Sequence, residues 1–84
     1  MITLVYLARL RESLGTRSEV VDLPPQIGNV AGLLSWLRGR GGAWAAELAP
    51  GRAVRIAVNF AMANADTPVR AGDEIALFPP VTGG

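Results

Sequence analysis

The stretch Asn29-Val30-Ala31-Gly32-Leu33-Leu34-Ser35-Trp36-Leu37 sets Val30, Leu33, Leu34 and Leu37 at the i, i+3, i+4, i+7 spacing of one helical stripe. Asn29 stands where an N-cap is wanted, and Gly39 with the Gly41-Gly42 pair stops the helix. A helix with a single apolar stripe must bury it against another element, and the flanking sequence supplies strands. Upstream, residues 2–8 form a short apolar run with Ile2, Leu4 and Tyr6 on one face and Thr3, Val5 and Leu7 on the other. Such a run predicts a central strand with a second contact surface. Arg11 to Arg17 contains Gly15-Thr16 and reads as a turn. Ser18 to Leu23 reads as a second strand, ended by Pro24-Pro25 because proline cannot donate to a ladder.

Downstream, Trp44 and Leu48 at i, i+4 predict a second short helix closed by Pro50-Gly51, with Trp44 read as a core residue. Val54, Ile56 and Val58 alternate with Arg55 and Ala57, the pattern of a half-buried strand. Asn59 falls in a turn, Phe60 to Ala63 form a short return strand, and residues 64–68 form a loop. Ala71-Gly72-Asp73 is a turn, and Glu74 to Phe78 is the last strand. The order predicts an α+β fold: a mixed sheet of about five strands, one main helix on one face and a second short helix.

The chain has 84 residues, half of them hydrophobic, which suits one small domain that buries about 60–65% of its surface. The net charge is +1, and all eight basic residues are arginines (9, 11, 17, 38, 40, 52, 55 and 70), dispersed and interleaved with acids. That balance argues against a broad nucleic-acid surface. The absence of cysteine excludes a disulfide framework and a thiolate metal site, and it fits a cytoplasmic location. No basic region precedes the first apolar run, so no signal peptide is expected, and no stretch approaches the ~20 residues that span a bilayer.

The chain has no Cys, no His and no Lys, the usual side chains of nucleophilic, acid–base and metal chemistry. The most distinctive reactive handle is then the carboxylate that ends Phe78-Pro79-Pro80-Val81-Thr82-Gly83-Gly84. Residues 1–78 read as the domain and 79–84 as a reactive tail. Pro79-Pro80 stiffens the exit, and β-branched Val81 and Thr82 resist compaction. Gly83 and Gly84 lack a Cβ and pass where other residues do not. An ionised carboxylate, with a pKa of about 3.5, is a poor electrophile. Adenylation by ATP would activate it, after which a sulfur nucleophile gives a thiocarboxylate and an amine gives an amide. This chain holds no base or metal ligand for either step, so it reads as a carrier acted on by other enzymes.

Phe78 to Gly84, preceded by Gly72-Asp73-Glu74-Ile75-Ala76-Leu77, resembles the C-terminus of MoaD-type sulfur carriers, the small subunits of molybdopterin synthases. Tyr6-Leu7-Ala8-Arg9-Leu10-Arg11-Glu12 and Val58-Asn59 resemble the same family. The resemblance implies a β-grasp, ubiquitin-like fold. It implies that Gly84 is adenylated by an E1-like enzyme that uses ATP, is thiocarboxylated with sulfur from a donor protein, and enters the large synthase subunit. There it gives sulfur to cyclic pyranopterin monophosphate, in an elongated heterotetramer of two small and two large subunits. It implies no cofactor, metal, nucleic acid or membrane bound by this chain itself.

Three alternatives remain at this level: a thiazole-pathway sulfur carrier, a ubiquitin-like protein modifier, and an interaction domain with an inert tail. A lysine-free chain cannot build lysine-linked chains on itself. If Ile75 and Leu77 face the helix, period 2 puts Phe78 on the open face of the sheet. Leu7 falls there too, and Phe60 or Met62 join from the return strand. These residues, with Pro79, Pro80, Val81, Thr82 and Gly83, form the expected partner-binding surface.

Overall fold

A computed structural model of the chain describes residues 1–80. In chain order the elements are β1 (Ile2–Tyr6), α1 (Arg9–Leu14), β2 (Ser18–Val21), α2 (Val30–Arg38), α3 (Gly42–Glu47), β3 (Arg55–Val58), β4 (Ala61–Met62) and β5 (Glu74–Phe78). The five strands form one sheet in the order β2-β1-β5-β3-β4. The central pair β1 and β5 is parallel, and the other three pairings are antiparallel. A mixed five-stranded sheet with its principal helix on one face is the β-grasp, ubiquitin-like arrangement.

The stripe on α2 accounts for the core. Val30, Leu33 and Leu37 are buried on that helix, and they meet Ile2, Leu4 and Tyr6 of β1 and Ile75 and Leu77 of β5 in one cluster. Full burial of each such side chain stabilises by about 1.5–3 kcal/mol. The Asn29 side chain caps α2 by accepting from the Gly32 N–H at 2.8 Å, a contact worth about 1 kcal/mol. Arg38 at the end of α2 donates from Nε to the Leu48 carbonyl at 2.6 Å and so ties α2 to the end of α3. Leu48 is buried in the same cluster, and Trp44 packs partly buried against it.

Most of the turn expected over Arg11–Arg17 is instead helix, because α1 runs through Leu14. Leu10 and Leu14, one turn apart, are both buried. Gly15, at φ 73, ends the helix by donating its N–H to the Arg11 and Glu12 carbonyls. The charged residues between the two leucines conceal a stripe only two positions wide. The predicted glycine was present, but as a left-handed helix stop rather than as an isolated turn. The strand limits also shift. β1 stops at Tyr6, because Ala8 adopts φ 52 and ψ −133. β2 stops at Val21, β3 begins at Arg55, and β4 is only Ala61–Met62. Phe60 belongs to the turn with Asn59, not to the return strand.

A polar knot closes the β1–β2 end. Tyr6, fully buried, donates its hydroxyl proton to Glu19 Oε2 at 2.7 Å and accepts from Trp44 Nε1 at 3.3 Å. Arg40 grips Glu19 with two bonds of 2.8 and 3.0 Å and lies over both Trp36 and Trp44. Hydrogen bonding from Arg40 lowers the Glu19 carboxyl pKa, and burial, reinforced by Glu19, raises that of the Tyr6 hydroxyl.

Candidate functional site

Alternation along β5 divides its side chains. Ile75 and Leu77 are fully buried, whereas Glu74, Ala76 and Phe78 are only partly covered and face the opposite side. The register extends that second side across the sheet: Ser18, Val5, Ala76, Ala57 and Met62 stand in one cross-strand row. Among the described residues, no helix is assigned to this face by the burial pattern, and its apolar members include Val20 and Met62, 62% and 63% exposed.

The tail leaves from the Phe78 end. Phe78 opposes Arg55 across β3–β5, and Tyr6 is level with Leu77 in the parallel β1–β5 pair. One step further, the Leu7 N–H donates to the Leu77 carbonyl at 3.0 Å. Leu7, 42% exposed, therefore stands level with Phe78 where the chain turns into Pro79-Pro80. Parallel pairing of the first and last strands makes this neighbourhood. Ala8 immediately follows, held at its positive φ.

Of the expected surface residues, the fold brings together Leu7, Phe78, Pro79 and Pro80 at the exit, with Met62 one row away beside Ala57. Phe60 is not beside the tail. It caps the β3–β4 hairpin, at the end of β3 that pairs with the start of β5. Val81, Thr82, Gly83 and Gly84 lie outside the described residues. Nothing in the sequence singles out Arg55 among the eight arginines as a neighbour of Phe78. Its place depends on a long-range pairing.

The hairpin is a two-residue connection, Val58 pairing with Ala61 around Asn59 and Phe60. Both turn residues have positive φ, 49 and 69. A primed two-residue turn requires this, and glycine is the usual second residue. A bulky residue there carries about 1–2 kcal/mol of backbone strain. Asn59 offsets it with three bonds to the start of β5. Its N–H donates to the Glu74 carbonyl at 2.8 Å, its Nδ2 to Asp73 Oδ1 at 2.9 Å, and its Oδ1 accepts from the Glu74 N–H at 2.9 Å. Asp73 also accepts from the Arg70 N–H at 2.8 Å, which with the Asn59 bond lowers its carboxyl pKa.

Among the described residues, no three His, Cys, Asp or Glu side chains converge as metal ligands, and no helix is long and apolar enough to cross a membrane. What the geometry offers is presentation: an open apolar sheet face that ends at a proline-stiffened exit.

Comparison with known proteins places this geometry. The molybdopterin synthase sulfur carrier subunit of Escherichia coli K12 is 34% identical over 84 residues, covering all of both chains. The crystal structure of SAMP1, small archaeal modifier protein 1, from Haloferax volcanii matches with a TM-score of 0.78 and 31% identity, covering 99% of this chain and 98% of that one. A chain in the complex of subunits 1 and 2 of the molybdopterin-converting factor from Helicobacter pylori shares the fold, with a TM-score of 0.64, 21% identity and coverage of 99% and 97%. The model of the ThiS family matches residues 4–84. The chain belongs to the ThiS family.

Proposed function

We propose that this chain is the sulfur carrier subunit of a molybdopterin synthase. The observation that carries the reading is the end-to-end match with a relative of that name, which includes the tail. In this reading, ATP and an E1-like enzyme convert the Gly84 carboxylate to an acyl-adenylate with release of pyrophosphate. Sulfur from a donor protein displaces AMP and leaves a thiocarboxylate. The tail then enters the large subunit, where sulfur passes to cyclic pyranopterin monophosphate. A heterotetramer with two large subunits and a cytoplasmic location belong to the same proposal.

The chain's own residues bind and position. Phe78 and Leu7 offer apolar contact at the exit, Met62 adds to it one row away, and Pro79-Pro80 sets the direction of the tail. A second reading, a protein modifier, is favoured by the likeness to SAMP1. Deleting Gly84, or adding one residue after it, separates carrier from inert tail. Both variants are expected to keep the wild-type melting curve and to lose sulfur transfer in a synthase reconstituted with the large subunit. Normal product from the truncated chain sinks the carrier reading, and amide-linked conjugates as the main cellular product favour the modifier.

A further inference from the structure

Among the described residues, three non-glycine positions have positive φ: Ala8, Asn59 and Phe60. Asn59 tolerates that region; Phe60 occupies the place where glycine would relieve it. The Phe60 side chain is 89% exposed, so the ring contributes almost nothing to the core. Yet the turn beneath it is clamped to β5 through Asn59 and, behind that, Asp73. A large apolar ring left in water on a clamped turn contributes nothing inside this domain. Towards a partner it is an anchor whose backbone is already ordered.

We propose that Phe60, on its pre-ordered turn, is an anchor that seats in an apolar recess of the same large subunit that receives the tail. This rests on the function proposed above. The occupant follows from reach and continuity. Phe60 and Phe78 mark opposite ends of the β3–β5 pairing, with Met62 in the row between them. Four strand residues at about 3.3 Å each separate those ends by roughly 13 Å, whereas a specific interface of ~800 Å² per partner is roughly 30 Å across. One partner footprint that runs from the tail exit along this face therefore reaches the hairpin tip as well. Its recess would be lined by aliphatic or methionine side chains, which suit an unpaired phenyl ring.

Phe60→Asn and Phe60→Gly both accept positive φ and remove the ring while leaving the clamp. Each variant, with Phe78→Ala for reference, is titrated calorimetrically into the purified large subunit, and a melting curve is recorded for each. The expected result is melting close to wild type for both Phe60 variants, with affinity lowered about tenfold or more. Unchanged affinity in both, while Phe78→Ala weakens binding, overturns the anchor and leaves the carrier reading standing. A marked fall in the melting temperature of Phe60→Asn also overturns it, because the ring would then serve the fold. No binding by the wild-type chain overturns both readings.

Discussion

The two faces of β5 receive the same backbone and opposite assignments. Ile75 and Leu77 are fully buried beneath α2, while Ala76 and Phe78, one residue away, look out through the uncovered side of the sheet. On the covered side every large residue has an intramolecular partner. On the open side Leu7, Val20 and Met62 remain exposed, as does Phe60 at the hairpin tip, and the positive-φ positions Ala8, Asn59 and Phe60 adjoin or carry two of these four residues. The comparison teaches that apolar character alone does not distinguish core from docking surface in this chain. What separates them is whether a helix stripe lies opposite.

Substitution on the covered face gives the largest expected effect. Leu77→Ala should cost about 2–5 kcal/mol of stability, read by chemical denaturation, because neighbouring α2 and β1 side chains only partly refill the void. A cost below that range would mean that the centre of the sheet is loosely packed. The outward neighbour sharpens the contrast. Phe78→Ala should weaken binding to the large subunit by about 2 kcal/mol or more while changing the melting temperature much less. Unchanged affinity with a large drop in melting temperature would assign Phe78 to the core and break the division between the faces.

The smallest effect is electrostatic and belongs to the polar knot. The Glu19 pKa is lowered in the folded chain, chiefly by Arg40, so the unfolded state takes up its proton first as pH falls. Its contribution is therefore complete above the ordinary glutamate range and is lost as pH drops through the lowered value. The Glu19 side chain is 25% exposed and its pairing with Arg40 stays in contact with solvent, so Glu19→Gln should cost about 1–2 kcal/mol near neutral pH. The substitution should also flatten the acid side of the stability profile. An acid side identical to wild type would show that Arg40 is held by the two tryptophans rather than by the carboxylate.

The sequence made α2 legible because four apolar residues fall on one stripe beside a competent cap. The strands showed through period 2 and through their proline and glycine stops. Helix α1 stayed hidden because its buried face is Leu10 and Leu14 alone, set among Arg9, Arg11, Glu12 and Ser13. The sequence pattern locates the hairpin turn at Asn59 but extends the return strand to Phe60, since nothing in an Asn-Phe pair announces a primed turn. Leu7 and Phe78 were assigned to one surface by alternation. Their standing level with each other depends on the parallel β1–β5 pairing, which no local pattern encodes. Tyr6, Glu19, Arg40 and Trp44 are likewise brought together only by the fold.

The proposed role puts sulfur on Gly84. Intact-mass measurement after incubation with ATP, the activating enzyme and a sulfur source tests it most directly. The expected product has sulfur in place of one oxygen, localised by fragmentation to Gly84. An unmodified mass under conditions that thiolate the Escherichia coli relative, or a sulfur placed elsewhere in the chain, would contradict it.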